Sequence, residues 1–286
     1  MSWLSNDVLA HVERVTEEPD LDGTRYTLRG LIGRGGMGSV WLAFDRELER
    51  EVAVKVTEGA LSHEAKVMAQ LEHPGIVPVH ETGTLVDGRV YVVMKRVRGE
   101  RLDVWAAKAD LKARLRLFQR VCEAIAFAHA RGVLHRDLKP QNVMVGELGE
   151  ALVMDWGLAR RASEPHEPGH VAGTPAFMAP EAARGEPATP ATDVYGLGAM
   201  LKVLAGADVP AAVAAIGEKA TAASPAARYE SAGALSEDIG RFLERERVLA
   251  WREPLAERVA RFASKNSVIL GLFGVYLLLR LVLLLF

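Results

Sequence analysis

The stretch that most constrains this chain is HRDLKPQN, residues 135–142. It contains a carboxylate (Asp137), a cation (Lys139) and a carboxamide (Asn142). A carboxylate can accept the proton of an attacking hydroxyl, a cation can neutralise the oxygens of a transferred phosphoryl group, and a carboxamide oxygen is a hard ligand for Mg²⁺. The three together indicate phosphoryl transfer to a hydroxyl group. The alternative interpretation is a polar surface turn between a helix and a strand.

The octapeptide matches the pattern H-R-D-L-K-P-x-N, and here the chain resembles the catalytic loop of bacterial eukaryotic-like Ser/Thr protein kinases. The resemblance implies an α+β, bilobal protein kinase fold, with a small β-rich N-lobe and a large helical C-lobe. It implies ATP and Mg²⁺ as cofactors and proteins as substrates. It also implies that Asp137 accepts the proton, that Lys139 balances charge and favours Ser/Thr over Tyr substrates, and that Asn142 binds the metal.

A glycine-rich run fits G-x-G-x-x-G-x-V, which is similar to the nucleotide-covering loop of that family. Glycines let the backbone approach phosphates where a β-carbon would interfere. Residues 41–44 continue as a predicted strand, which argues against a dinucleotide-binding fold, in which a helix follows. A plain hairpin turn is the alternative. The resemblance implies nucleotide contacts from Gly33, Arg34, Gly35, Gly36, Met37, Gly38, Ser39 and Val40.

The next predicted strand, residues 52–56, places Lys55 on one sheet face among buried neighbours because its apolar residues alternate. A solvated edge lysine is the alternative. The resemblance implies that Lys55 binds the α- and β-phosphates. It also implies that Glu64, in a predicted helix at 62–71, holds Lys55 in place, with Glu58 as the rival carboxylate.

The resemblance also implies that Ala53 and Met94 line the nucleotide pocket and that residues 95–99 form the hinge beside the adenine. Lys95 and Arg96 depart from the family, which usually carries an acidic and an aromatic residue there. Because hinge contacts come from backbone groups, we expect ATP binding to survive this change. The departure nevertheless motivates a rival function, a membrane-tethered pseudokinase that binds nucleotide as a scaffold.

A second metal-binding position follows the predicted strand at 151–154. Asp155-Trp156-Gly157 resembles the family's D-F-G, so Asp155 is the expected main Mg²⁺ ligand, with tryptophan in place of phenylalanine. The activation segment would follow, and Ser163 is its only hydroxyl residue between Gly157 and Gly173. Since Arg136 beside Asp137 is typical of kinases that phosphorylation activates, we predict Ser163 as the activating phosphosite.

Several residues of the predicted C-lobe match the family's structural positions. Thr174 resembles the hydroxyl that bridges Asp137 and Lys139, and Glu181, in A-P-E, resembles the carboxylate that pairs with Arg228. Asp193 resembles the residue that binds the catalytic-loop backbone, and a helix N-cap is the compatible alternative. These motifs argue against a small-molecule kinase. Between Leu204 and Ile216 the chain is shorter than in related kinases, where this segment helps to dock protein substrates. The sequence therefore does not predict where protein substrates dock.

Composition excludes two classes of protein. The net charge of −2 over 286 residues creates no global field that would recruit nucleic acid. The single cysteine, Cys122, makes an intrachain disulfide impossible, which fits a reducing compartment. No apolar run of signal-peptide length begins the chain, so we do not expect its first part to be exported by that route.

The last 20 residues, 267–286, carry one charge, Arg280, and predict a transmembrane helix of about 30 Å. Basic residues precede this run and none follows it, which favours a single-pass protein with a cytoplasmic kinase domain and lipid contact through the helix. A homodimer is left open. The predicted domains are an N-terminal extension (1–23), a kinase domain (24–245), a juxtamembrane segment of helical period (246–266) and the transmembrane helix.

Overall fold

The computed structural model describes residues 18–35, 38–57, 67–68, 70–161, 173–255, 258 and 266–285. An antiparallel five-stranded sheet forms the N-lobe, in the order β1-β2-β3-β5-β4. Its strands are β1 (Tyr26–Gly35), β2 (Gly38–Asp45), β3 (Arg50–Thr57), β4 (Val79–Thr84) and β5 (Val90–Lys95). The β4–β5 connection turns at Gly88, whose φ of 86° suits glycine, and forms an antiparallel hairpin with an Asp-Gly turn.

The glycine-rich run forms the β1–β2 hairpin, as the sequence predicts. Gly33 pairs with Val40 and Gly35 with Gly38 in the antiparallel register. Gly38 has a φ of 127°, and a β-carbon there would lie 2.1 Å from the carbonyl oxygen of Val56. Because no side chain fits at that distance, glycine at this position lets β2 begin directly against β3.

Strand β3 is covered on both faces, which explains its continuous apolar character. Val52, Val54 and Val56 pack into the core of the N-lobe with Trp41. Ala53 faces the other way, into the core that continues into the C-lobe. Lys55 shares that face, so the predicted placement of Lys55 among buried neighbours is confirmed.

Helices dominate the C-lobe. A short strand, β6 (Gly99–Arg101), leads into α1 (Leu102–Ala106) and the central α2 (Leu111–Ala130), which ends before Gly132. The later helices are α3 (Pro180–Ala183), α4 (Pro190–Ala205), α5 (Ala211–Ala220), α6 (Ala232–Leu243) and α7 (Ser267–Leu285). Only residues 206–210 connect α4 to α5, which agrees with the shortening expected at this point.

Small strands carry the site between the lobes. They are β7 (Val133–Leu134), β8 (Val143–Gly146), β9 (Ala151–Val153) and β10 (Arg160–Arg161), with a 3₁₀ turn, Pro140–Asn142, before β8. β6, β8 and β9 form one sheet, and β7 pairs with β10. Backbone bonds from Val153 to Gly75 and from Val77 to Val153 join this sheet to the chain that enters β4.

One prediction about the C-terminal part of the chain needs correction. Residues 246–254, predicted to be helical, form turns and irregular backbone. The reason is a long-range contact, because Asp238 in α6 accepts hydrogen bonds from the backbone of Leu249 (2.6 Å) and Ala250 (3.0 Å). At the other end of the described chain, Leu21 is buried in the N-lobe core.

The predicted transmembrane helix at 267–286 is not confirmed. α7 covers Ser267–Leu285. Among the residues described here, none of the helices combines the length and the apolar character needed to cross a bilayer.

Candidate active site

The catalytic loop lies between β7 and the 3₁₀ turn and is held by Asp193 from α4. The two oxygens of Asp193 accept hydrogen bonds from the backbone nitrogens of His135 and Arg136, both at 2.8 Å. The Nε2 atom of His129 lies 2.8 Å from the same carboxylate. These contacts hold Arg136 at a φ of 69°, a strained backbone conformation of the kind that occurs at functional sites.

Asp137, Lys139, Asn142 and Thr174 meet in one cluster. The Nζ of Lys139 lies 2.7 Å from Asp137 Oδ2 and 2.8 Å from Thr174 Oγ1. The Thr174 hydroxyl donates to Asp137 Oδ1 at 2.8 Å, and the Asn142 amide donates to Asp137 Oδ2 at 3.0 Å. The bridging position expected for Thr174 is therefore observed.

Burial of Asp137 acts to raise its pKa, but hydrogen bonds from Lys139, Thr174 and Asn142 act more strongly together. The pKa of Asp137 is consequently lowered from its ordinary value. The carboxylate is ionised at neutral pH and can accept a proton from a hydroxyl that approaches it.

Lys55 and Asp155 face the same cleft from opposite lobes. The Nζ of Lys55 lies 3.0 Å from Asp155 Oδ1. The side chain of Lys55 is 9% exposed and that of Asp155 is 38% exposed, so the carboxylate remains accessible from the cleft. Asp155 has a φ of 58°, which turns its side chain out of the strand direction of β9.

Asp155 and Asn142 have the chemistry of a divalent-metal site shared with a phosphate ligand, and the backbone nitrogen of Met154, next to Asp155, donates to the carbonyl oxygen of Asn142 at 2.8 Å. Asn142 uses its amide nitrogen on Asp137, which leaves its amide oxygen as the ligand atom. Within the described ranges, no group of three or more His, Cys, Asp and Glu side chains could hold a metal ion alone. Mg²⁺ is usually held by one or two protein oxygens together with substrate phosphates, and Asp155 with Asn142 provides such a pair.

The predicted nucleotide-binding residues divide into two groups. Ala53, Lys55 and Met94 are buried on the C-lobe side of the sheet, and Val40 packs against the same core. Gly33, Arg34, Gly35 and Gly38 form the hairpin. The side chain of Ser39, in contrast, is buried against Trp41, whose indole nitrogen donates to its hydroxyl at 2.8 Å.

The hinge is organised by a carboxylate that the sequence did not reveal. Arg96 and Arg98 both bind Glu51 in β3, the latter at 2.8 Å. Hydrogen bonds from the two arginines lower the pKa of Glu51, and the bond from Arg98 has the larger effect. The unusual basic hinge is thus tied to the N-lobe, and only the pairing of β3 with β5 makes this contact visible.

The predicted structural pair is present and buried. Arg228 binds both oxygens of Glu181, at 2.6 and 2.7 Å, and Thr192 donates to Glu181 at 3.3 Å. Burial acts to raise the pKa of Glu181, and the bonds from Arg228 reverse that effect, so the pKa is lowered. This bidentate pair fixes the start of α3 to the segment before α6.

Four predicted positions lie outside the described residues: Gly36, Met37, Glu64 and Ser163. Sequence reasoning also missed contacts that are now evident. His129 supports Asp193, and its sequence signal was only a histidine in the last turn of α2. Asp103 in α1 accepts a hydrogen bond from Gln141 in the catalytic loop, for which the sequence offered no signal.

A model of the protein kinase domain matches residues 26–239. The chain is 37% identical over 220 residues to the serine/threonine-protein kinase PknD of Protochlamydia amoebophila, covering 62% of this chain and 22% of the relative. It is 31% identical over 291 aligned positions to PknD of Chlamydia felis, covering 77% and 31% of the two chains.

A third relative, PknD of Chlamydia muridarum, is 38% identical over 226 residues, with 62% of this chain and 24% of the relative covered. The chain thus spans less than a third of the length of these relatives. The Chlamydia felis alignment is longer than this 286-residue chain, so that relative carries insertions here. The kinase-domain model matches most of this chain, and the chain has the bilobal fold and the catalytic-loop cluster. This chain therefore belongs to the protein kinase family, among the bacterial eukaryotic-like Ser/Thr kinases.

Proposed function

We propose that this chain is an ATP-dependent Ser/Thr protein kinase, which transfers the γ-phosphoryl group of ATP to protein hydroxyls and phosphorylates itself. The observation that carries the proposal is the cluster around Asp137. A carboxylate ionised at neutral pH stands 2.7 Å from a lysine amine and shares a hydrogen-bonded hydroxyl with it. This is the donor and acceptor set that transfer to a hydroxyl requires.

Asp137 orients the acceptor hydroxyl and takes its proton. Its Oδ1 accepts a hydrogen bond from Thr174, and a substrate hydroxyl would take up a comparable position beside it. Lys139 lies close enough to balance the charge that develops on the transferred group. The hydrogen bonds to Asn142 and Thr174 hold the carboxylate in one orientation, which lowers the cost of reaching the reactive geometry.

Lys55, Asp155 and Asn142 bind the phosphate end of the nucleotide in this proposal. A bound divalent cation, Mg²⁺ by the chemistry of its oxygen ligands, would neutralise phosphate charge. Asp155 and Asn142 would hold it, and Lys55 would move from Asp155 to the phosphates. The hairpin of β1 and β2 would cover the nucleotide, with Ala53 and Met94 against the base.

The decisive experiment compares the native chain with Asp137→Asn in Mg²⁺-ATP, with phosphate incorporation located by mass spectrometry. We expect incorporation into Ser and Thr of the native chain and a loss of at least about 100-fold in the variant. Equal incorporation in both would favour the rival function, a pseudokinase scaffold.

Three further predictions of the sequence extend this proposal. Glu64 would hold Lys55, and Ser163 would be the activating phosphosite, which the same mass spectrometry would detect. Membrane attachment through residues 267–286 remains a prediction from their apolar composition alone. Extraction of cell membranes with alkaline carbonate would release the chain if that prediction is wrong.

A further inference from the structure

Glu51 of β3 lies beside the hinge, the segment that joins the two lobes. Its neighbour Val52 pairs with Lys95 at the end of β5, where the hinge begins. The Glu51 carboxylate binds Arg96 and lies 2.8 Å from Nη2 of Arg98. One carboxylate of the N-lobe sheet therefore holds two hinge arginines, and we call Glu51, Arg96 and Arg98 the hinge clamp.

Arg98 connects the hinge clamp to the C-lobe through its backbone. Its carbonyl oxygen accepts a hydrogen bond from the backbone nitrogen of Glu147, in the turn between β8 and β9, at 3.1 Å. The next residue, Gly99, begins β6, which pairs with β8. A second contact follows the same route, since Nζ of Lys95 lies 3.8 Å from Glu150 in the same turn. The side chain of Arg98 thus binds the N-lobe while its backbone is bonded to the C-lobe.

The inner side of the hinge meets the predicted nucleotide pocket. Val97, between the two arginines, packs against the buried core that contains Ala53 and Met94, the residues expected to line the pocket. Because Glu51 binds the side chains on both sides of Val97, it restricts the backbone that directs Val97 toward that core. The hinge clamp therefore acts on the part of the chain that the resemblance places beside the adenine.

Three charges form the hinge clamp, and their arrangement makes Glu51 the central one. The side chains are 32% exposed for Glu51, 31% for Arg96 and 63% for Arg98. An isolated pair at such exposure contributes little, whereas a carboxylate shared by two guanidinium groups forms a small network. Removal of Glu51 would also leave two like charges close together without the carboxylate that they share. We therefore expect the hinge to depend more on Glu51 than on either arginine alone.

We infer that Glu51 is a positioning residue for nucleotide binding, which holds the hinge through Arg96 and Arg98 in the arrangement that receives the adenine. The inference rests on the proposed kinase function. Glu51 makes no contact with the nucleotide in this proposal and acts only through the hinge. Since the hinge is ordered before the nucleotide arrives, less conformational entropy is lost on binding, and the affinity is higher. The transfer of the phosphoryl group at Asp137 does not depend on Glu51.

The test measures the binding of Mg²⁺-ADP to the full chain by calorimetry and the rate of autophosphorylation at saturating ATP. In Glu51→Gln we expect the Kd for ADP to rise about fivefold, with the rate at saturating ATP within about twofold of the native value. Arg98→Gln should raise the Kd as well. Adding Glu51→Gln to Arg98→Gln should raise the Kd less than Glu51→Gln does in the native chain, because the two residues act in one contact.

Glu47→Gln is the matched control. Glu47, in the turn between β2 and β3, is an exposed carboxylate that pairs with Arg25 of the same lobe at 3.2 Å, and its variant should keep the native Kd. A native Kd in Glu51→Gln would overturn the inference. Additive effects of Glu51→Gln and Arg98→Gln would also overturn it, as would a loss of rate at saturating ATP as large as the loss of affinity.

The two measurements separate this inference from the proposed function. If ADP binds and the Kd shifts as expected but no phosphate is incorporated into the native chain, only the proposed kinase activity is wrong. If phosphate is incorporated but the Kd does not shift, only the role of Glu51 is wrong. No binding of ADP to the native chain would overturn both.

Discussion

Lys55 of β3 and Asp155 after β9 are joined by an ion pair of 3.0 Å across the cleft, although 100 residues separate them in the chain. The pair connects the N-lobe to the loop that follows the C-lobe sheet. In the proposed mechanism, nucleotide phosphates and the metal ion would compete with this contact, so Lys55 and Asp155 would separate as ATP binds. The charges that would hold the phosphates therefore hold each other in the nucleotide-free protein.

Replacement of Lys55 by Met should abolish most activity without unfolding the chain. The variant removes a preorganised cation from the phosphate site, and we expect kcat/KM for ATP to fall by about 10²–10³. Lys202→Met, which removes an exposed lysine of α4 that pairs with Glu218 of α5, is the control and should retain native rates. Native turnover in Lys55→Met would contradict the assigned role.

Removal of the Thr174 hydroxyl should change the pH dependence of the reaction. Thr174 donates to ionised Asp137 and helps to lower its pKa, so the loss of this donor raises that pKa toward the ordinary value of about 4. The acidic limb of kcat/KM should shift to higher pH in Thr174→Ala and return in Thr174→Ser. An unshifted limb in Thr174→Ala would show that the hydroxyl does not act on Asp137.

The Glu181–Arg228 pair should dominate the stability of its region. Arg228→Ala leaves a buried carboxylate without its partner, and we expect a loss of about 3–5 kcal/mol in the free energy of unfolding by urea. Arg184→Ala removes an exposed arginine that pairs with Glu186, and it should cost much less because solvent screens that pair. Similar losses in the two variants would contradict the importance of burial.

The same pair predicts the direction of a pH effect. The pKa of Glu181 is lower in the folded chain than in the unfolded one, so its ionisation stabilises the fold at pH above the unfolded value of about 4.3. That contribution is lost as the pH falls through the folded pKa. The stability difference between the native chain and Glu181→Gln should therefore be large at pH 7 and shrink below about pH 4. A stability difference between the two proteins that does not change with pH would contradict this prediction.

Trp156 should tolerate replacement by the family's usual phenylalanine. Its ring is fully buried and lies 4.6 Å from the ring of His135, but its indole nitrogen has no hydrogen-bond partner among the described residues. Trp156→Phe removes this unpaired donor and should change stability by less than about 1 kcal/mol, because the loss of packing is offset. Trp156→Ala should cost about 3–5 kcal/mol. If Trp156→Phe and Trp156→Ala lowered the free energy of unfolding equally in chemical denaturation, the unpaired nitrogen would have no cost.

Local features were predictable because they depend on short stretches of backbone. The hairpin at Gly38 follows from glycine spacing, and the burial of Lys55 follows from alternation in β3. The end of α2 before Gly132 follows from the positive φ of 71° that glycine adopts easily. The expectation that Asp137, Asn142 and Asp155 form one site came from the resemblance, since no local rule places residues of separate elements together.

The chemical groups of this chain and most of its strands and helices could be predicted from the sequence, because propensity and periodicity act over a few residues. The pairing of Glu51 with two hinge arginines becomes visible only in the folded chain, and so does the departure of residues 249–250 from the helical pattern, where Asp238 accepts hydrogen bonds from their backbone. Each of these contacts depends on the packing of separate elements. A carboxylate has no sequence signature for its partner, since charge acts through space and takes whichever donor the fold brings near.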